Sequence, residues 1–101
     1  MTNEIFLEKF EKGEEFTEDE LIHVVNEFNE VETIKGDDRR WTRDMTTIVE
    51  VNSRYFAIYW EHGLTEEQPD MFYNQPREVI KKEYEKTIVV KEWIEKYINL
   101  K

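Results

Sequence analysis

Twenty-four carboxylates, two histidines and no cysteine set the chemistry open to this 101-residue chain. Nucleophilic catalysis would need Ser53, the only serine, beside His23 or His62. Asn52-Ser53 reads as the turn of a hairpin, so His62 falls at the far end of the strand leaving that turn. No catalytic residue is therefore assigned. Paired carboxylates occur throughout so acidic a chain, and their presence alone carries no information. His23 and Glu27 share a helix face at i, i+4, a spacing that suits a metal. No second histidine lies near them in sequence, and a boundary histidine is the simpler reading. Gly36-Asp37-Asp38 is too short for a calcium loop. Without cysteine there is neither a disulfide framework nor a thiolate site. The expectation is a protein without enzymatic activity, cofactor or metal.

The carboxylates are unevenly placed. The net charge of −10 divides into −9 over residues 1–34, +1 over 35–60, −4 over 61–78 and +2 over 79–101. A small domain that carries such a field accepts self-repulsion, which serves solubility or a basic partner. The same field disfavours direct binding of nucleic acid, whose phosphates need positive charge. The candidate partner-binding residues are Glu14, Glu15, Glu18 and Asp19 in the first segment and Glu66, Glu67 and Asp70 in the third. The bland alternative for both runs is a solvated surface. No apolar stretch approaches the roughly 20 residues of a membrane span, and Met1 to Phe10 does not read as a signal peptide.

These residues need elements to position them. The length suits one domain over residues 1–101, with an acidic helical part (1–30), an antiparallel sheet (31–90) and a C-terminal helix (91–99). Thr2 and Gly13 bracket a helix over 3–12. Thr17 and Glu20 form a capping box for a second helix reaching about residue 29, with Phe16 and Leu21 at the spacing of a hydrophobic staple. Residues 31–36 read as an edge strand and Gly36-Asp37-Asp38 as a turn. The clearest feature is a hairpin, Asp44 to Val51 and Arg54 to Glu61. Its register places Met45, Val49, Phe56, Ile58 and Trp60 on one face and Ile48, Tyr55, Ala57 and Tyr59 on the other. Gly63 to Pro76 reads as a loop and 78–90 as one long strand. Val90, Trp93, Ile94, Tyr97 and Ile98 then fall at helical spacing. The fold class is α+β: two N-terminal helices, an antiparallel sheet of three to four strands and a short C-terminal helix.

Three groups admit two readings each. Arg39, Arg40 and Arg43 around Trp41 either contact phosphate or answer the acidic helices. The face of Ile48, Tyr55 and Tyr59 is either covered by a helix or left as a binding patch. Met71-Phe72-Tyr73 either tucks under the sheet edge or projects as an anchor.

Trp41-Thr42-Arg43, the run Thr46 to Val51, the run Arg54 to Trp60, Gly63-Leu64-Thr65-Glu66 and Phe72-Tyr73-Asn74-Gln75-Pro76 carry a resemblance. Over about residues 39–92 the chain resembles small proteins of phages and prophages of Gram-positive bacteria, which share no common activity. The first 35 residues lie outside it. The resemblance implies a site of action in the bacterial host cytosol. Small acidic phage proteins often inhibit host defence, as anti-CRISPR and anti-restriction proteins do, many by imitating DNA; that association rests on size, charge and origin. The functional expectation is a non-enzymatic phage protein that occludes the basic DNA- or RNA-binding cleft of a host CRISPR or restriction nuclease. The alternative is a structural or accessory phage module that self-associates, as a homodimer for instance, through the aromatic sheet face. A third reading, a small regulator binding a nucleotide or metal, rests only on His23, His62 and the arginines.

Overall fold

A computed structural model describes residues 1–85 and 89–96, with residues 83–85 and 89–92 described by their backbone alone. Two helices, α1 (Asn3–Glu11) and α2 (Glu18–Glu27), precede five strands: β1 (Asn29–Asp38), β2 (Thr42–Val51), β3 (Arg54–Gly63), β4 (Arg77–Glu85) and β5 (Val89–Glu95). The strands form one antiparallel sheet in the order β1-β2-β3-β4-β5. The fold is α+β.

Both helices start where their caps dictate. Thr2 accepts a hydrogen bond from the Ile5 amide, and Gly13 follows the C-cap of α1 at φ +69°. At α2 the Thr17 hydroxyl accepts from the Glu20 amide (3.2 Å) and the Glu20 carboxylate accepts from the Thr17 amide (2.8 Å), closing the capping box. The staple residues Phe16 and Leu21 are both buried.

The β2–β3 hairpin holds the expected register, with Met45 opposite Trp60, Thr47 opposite Ile58 and Val49 opposite Phe56. Asn52 and Ser53 both take positive φ, as a two-residue turn between right-twisted strands requires. The alternation sorts the core. On one face Val49, Val51, Phe56 and Ile58 meet Phe6, Leu21 and Val24 of the helices together with Phe16 and Phe72. Phe6 is the hub, its ring within 5.5 Å of the Phe16, Phe28 and Phe56 rings.

Four expectations are corrected. The sheet has five strands rather than three or four. Residues 78–90 are not one strand, since β4 ends at Glu85 and β5 starts at Val89 and pairs back onto it. The C-terminal helix expected over 91–99 is absent over 91–95, which belong to β5; Tyr97 and Ile98 lie outside the described residues. Gly36, Asp37 and Asp38 are not the turn. β1 runs on to Asp38 through irregular register, and the reversal follows, with the Arg39 amide bonded to the Thr42 carbonyl.

The second sheet face is covered by strands, not by a helix. Val79 of β4 joins Ile48 and Ala57 in a small buried cluster, with Tyr55, Tyr59 and Trp93 packed on it. The Trp93 indole N–H donates to Glu32 of β1 at 2.7 Å. A flat five-stranded sheet would separate its two edge strands by about 19 Å at ~4.8 Å per strand. The sheet therefore curls around this smaller cluster.

Candidate functional site

The capping box fixes the backbone from which Glu18 and Asp19 project in the first turn of α2, where the helix dipole favours negative charge. Hydrogen bonding from the Thr17 amide, together with Lys9 at 3.2 Å, holds the Glu20 carboxyl below the usual range. Just upstream, Gln75 clamps the backbone of Phe16: its side-chain oxygen accepts from the Phe16 amide (2.7 Å) and its nitrogen donates to the Phe16 carbonyl (3.1 Å). The Phe72 amide donates to Glu18 at 3.3 Å. Phe72 itself is buried and stacks on Trp60 at 4.8 Å. Residues 72–75 are thus stitched to the helix start. Glu14 and Glu15 line a shallow hollow of about 240 Å³ with Gln75 and Pro76.

The earlier part of the loop is built differently. Asp70 accepts from the Gly63 amide and from His62 Nδ1–H, both at 2.9 Å. Gly63 tolerates no side chain, because a Cβ there would stand 1.8 Å from the Gln68 carbonyl oxygen. Glu61 and Met71 exchange backbone hydrogen bonds, and Leu64 donates to the Trp41 carbonyl. These contacts leave Glu66 and Glu67 exposed at the turn.

All seven carboxylates read from the sequence are exposed. Glu14, Glu15, Glu18 and Asp19 share the helix start, and Glu18 is joined to the loop through Phe72. Glu66 and Glu67 ride at that loop's turn. Asp70 is engaged in holding the loop. Among the described residues, Glu14, Glu15, Glu18, Asp19, Glu66 and Glu67 form no salt bridge. Other carboxylates do: Glu11 and Glu78 meet Arg54, Glu95 meets Arg77, and Glu8 meets Lys12.

The arginine cluster does not meet the acidic helices; two of its members pair locally instead. Arg39 pairs with Asp44 and Arg43 with Asp38, across the β1–β2 reversal. Arg40 lies over the half-exposed Trp41 ring at 5.0 Å. The hydrogen bond from Arg43 holds the Asp38 carboxyl below its ordinary range. The helix contact is made by Arg54 instead, which reaches Glu11 of α1 while holding buried Glu78 through two nitrogens, both at 2.9 Å.

Met71-Phe72-Tyr73 divides, with Phe72 tucked into the core and Tyr73 60% exposed. One contributor had no role assigned in the sequence reading. Gln75 gives no sign of a clamp, since its partner is 59 residues away. Ser53 and His62 stand at opposite ends of β3, roughly 30 Å apart at ~3.3 Å per residue. Among the described residues no group of three or more His, Asp or Glu side chains is placed to hold a metal. No described helix is long and apolar enough to cross a membrane. Comparison with protein-family models, with curated proteins and with solved structures finds no match to this chain.

Proposed function

We propose that this chain is a non-enzymatic phage protein that binds a host nucleic-acid-handling defence protein, of the CRISPR or restriction kind, and occludes its basic cleft. One observation carries the reading: among the described residues the exposed carboxylates at the α2 start and at the loop turn form no salt bridge, whereas Arg39, Arg43, Arg54 and Arg77 are each taken up by a carboxylate elsewhere. Four of the five arginines are matched internally, while these acids form no salt bridge among the described residues. Unpaired carboxylates on a capped helix and a pinned loop present negative charge at low ordering cost. Complementary charge then speeds encounter with a basic surface and sets orientation. Self-association through the aromatic face has less support, because Val79 and Trp93 already occupy part of it.

The test starts with capture from host lysate and identification of the partner by mass spectrometry. Glu14, Glu15, Glu18 and Asp19 are then changed together, first to glutamine or asparagine and then to lysine. The neutral set separates charge from the dipole penalty that lysines incur at a helix N-terminus, about 0.3–1 kcal/mol each. Both sets are expected to keep the circular dichroism of the fold and to lose partner binding. Binding of the unmodified protein weakens with salt and competes with DNA. Retained binding by the lysine set, or a ternary complex with DNA, overturns the mechanism.

A further inference from the structure

β1 is an edge of the sheet and pairs with β2 alone. Its ten residues, Asn29–Asp38, are all exposed, so neither a helix nor a loop covers that edge. An antiparallel strand gives one row of amides and carbonyls to its neighbour and turns the alternate row outward. On β1 the outward row meets no other backbone among the described residues. Irregularities interrupt the pairing between Glu30 and Glu32 and between Lys35 and Asp38. Between them Glu32 to Lys35 keep continuous register with Ile48 to Met45. Glu32 lies opposite Ile48 and Ile34 opposite Thr46, which sets both on the second sheet face, where Trp93 reaches Glu32. Val31 and Ile34 are each 39% exposed. The edge is thus long, free of proline and partly apolar, the form that accepts a further strand.

We infer that β1 docks an extended, basic segment of a partner protein, which adds to the sheet as a sixth strand. An open strand edge selects an extended backbone directly, because that shape alone meets its row of donors and acceptors. Charge selects the sign. β1 carries four carboxylates, Glu30, Glu32, Asp37 and Asp38, against one cation, Lys35, a balance of −3. Asp38 is held by Arg43, while Glu32 accepts from the Trp93 indole and Glu30 from the Thr33 hydroxyl. Glu30, Glu32 and Asp37 form no salt bridge among the described residues. A second copy of β1 would bring the same excess of carboxylates, and like charges opposed across a strand pair are unfavourable. A strand bearing lysine or arginine is attracted instead, so the acids that keep copies of the chain apart also admit this partner. Apolar residues between its basic ones pack beside Val31 and Ile34. The β1 edge uses none of the helix-start or loop-turn carboxylates, so it is independent of the proposed cleft occlusion.

The experiment titrates the full chain with a short synthetic peptide alternating lysine and valine, followed by amide chemical shifts and hydrogen exchange. Slowed exchange is expected at outward amides of β1, foremost across Glu32 to Lys35, with little change in β3. The same peptide N-methylated at four consecutive central residues keeps its charge but can pair along neither edge. It is expected to bind about tenfold more weakly or worse, equivalent to ~1.4 kcal/mol. A peptide alternating glutamate and valine is expected not to bind. The double change Glu30→Gln with Asp37→Asn, both on the surface, is expected to weaken the lysine peptide several-fold and to keep the circular dichroism of the fold. Absence of binding by the lysine peptide overturns the inference. So does protection that falls away from β1, or equal binding of the N-methylated peptide, which would mean that charge alone is read. Sedimentation of the chain alone as a dimer, with β1 amides protected in it, would reassign the edge to a second copy.

Discussion

On the helix side of the sheet, Phe56 and Ile58 are sealed beneath Phe6, Phe16, Leu21 and Val24; on the other side, Ile48, Ala57 and Val79 are sealed only by the half-buried rings of Tyr55, Tyr59 and Trp93. The first face is a core in depth, with aromatic rings meeting edge to face at 4.9 Å. The second is a thin layer held by the curl of the strands and by one indole hydrogen bond. β2 and β3 contribute to both faces, so strand sequence alone does not set the depth of burial. What covers each face sets it. Stability is concentrated on the helix side, and the thin side keeps polar, partly open surface that recognition can use.

The sharpest challenge to that contrast is a pair of truncations on opposite faces of β3. Phe56→Ala removes a fully buried ring that touches Phe6 and Phe10, and is expected to cost about 3–5 kcal/mol. Tyr59→Ala removes a half-buried ring from the thin face and is expected to cost less than about 2 kcal/mol. Urea denaturation of both variants measures the difference. Equal losses would mean that the second face is a true core.

A second measurement tests the polar seam where α1 meets the sheet. Glu78 is buried on the helix side and held by Arg54 and Lys96. Hydrogen bonds from Arg54 foremost, then Lys96, outweigh desolvation and hold its carboxyl below the ordinary range, and the same pairing raises Arg54. A carboxyl depressed in the folded state contributes stability above its unfolded pKa, about 4.3 for glutamate, and loses it as pH falls through the lower folded value. Arg54→Met leaves Glu78 with Lys96 and is expected to cost about 2–3 kcal/mol near neutrality. The loss should shrink as pH falls below about 4, because protonated Glu78 no longer needs the cation. A penalty independent of pH would assign the role of Arg54 to its packing over Phe56, which it also covers at 5.5 Å.

How legible each region was follows from where its information lies. The central hairpin was legible because alternation over two strands and a two-residue turn are local and agree on one register. The helix starts were legible because caps act within four residues. β5 was not, since Trp93 and Ile94 fit helical spacing as well as alternation over so short a run. Its choice is made by pairing with β4 and by Trp93 reaching Glu32, 61 residues away. β1 was only half legible: its end at Asp38 is secured by Arg43 on the neighbouring strand, so an apparent turn sequence stays extended. Of the acidic site, composition located every carboxylate, but nothing local separated Asp70, which holds Gly63 and His62, from Glu66 and Glu67, which hold nothing.

The α2 cap tests whether the acidic surface is separable from the deep core beneath it. Thr17→Ala removes the acceptor for the Glu20 amide and is expected to cost about 1 kcal/mol. Glu18 and Asp19 keep their charges in this variant. If partner binding falls much more than stability, the capping box serves to orient carboxylates as well as to start the helix. If both change little, the clamp of Gln75 on Phe16 is sufficient to fix the helix start by itself.

The smallest expected effect bears on the register that separates the two faces. Asn52 and Ser53 sit at φ +50° and +66°, in the left-handed region. Asparagine tolerates that region, but serine lacks the freedom of glycine there, and an L-residue incurs roughly 1–2 kcal/mol of steric cost. Glycine relieves this cost but raises the entropy of the unfolded chain, which returns about 0.5–1 kcal/mol. Ser53→Gly is therefore expected to stabilise by a few tenths to about 1 kcal/mol, seen as a small rise in Tm with unchanged circular dichroism. Ser53→Val should do the opposite, since a β-branched side chain is the least suited to positive φ. A slip of one residue at this turn would exchange Phe56 and Ile58 for Tyr55 and Ala57 on the helix side, inverting both faces at once. A loss of stability in Ser53→Gly would mean that the serine hydroxyl, and not the turn geometry, holds the hairpin in register.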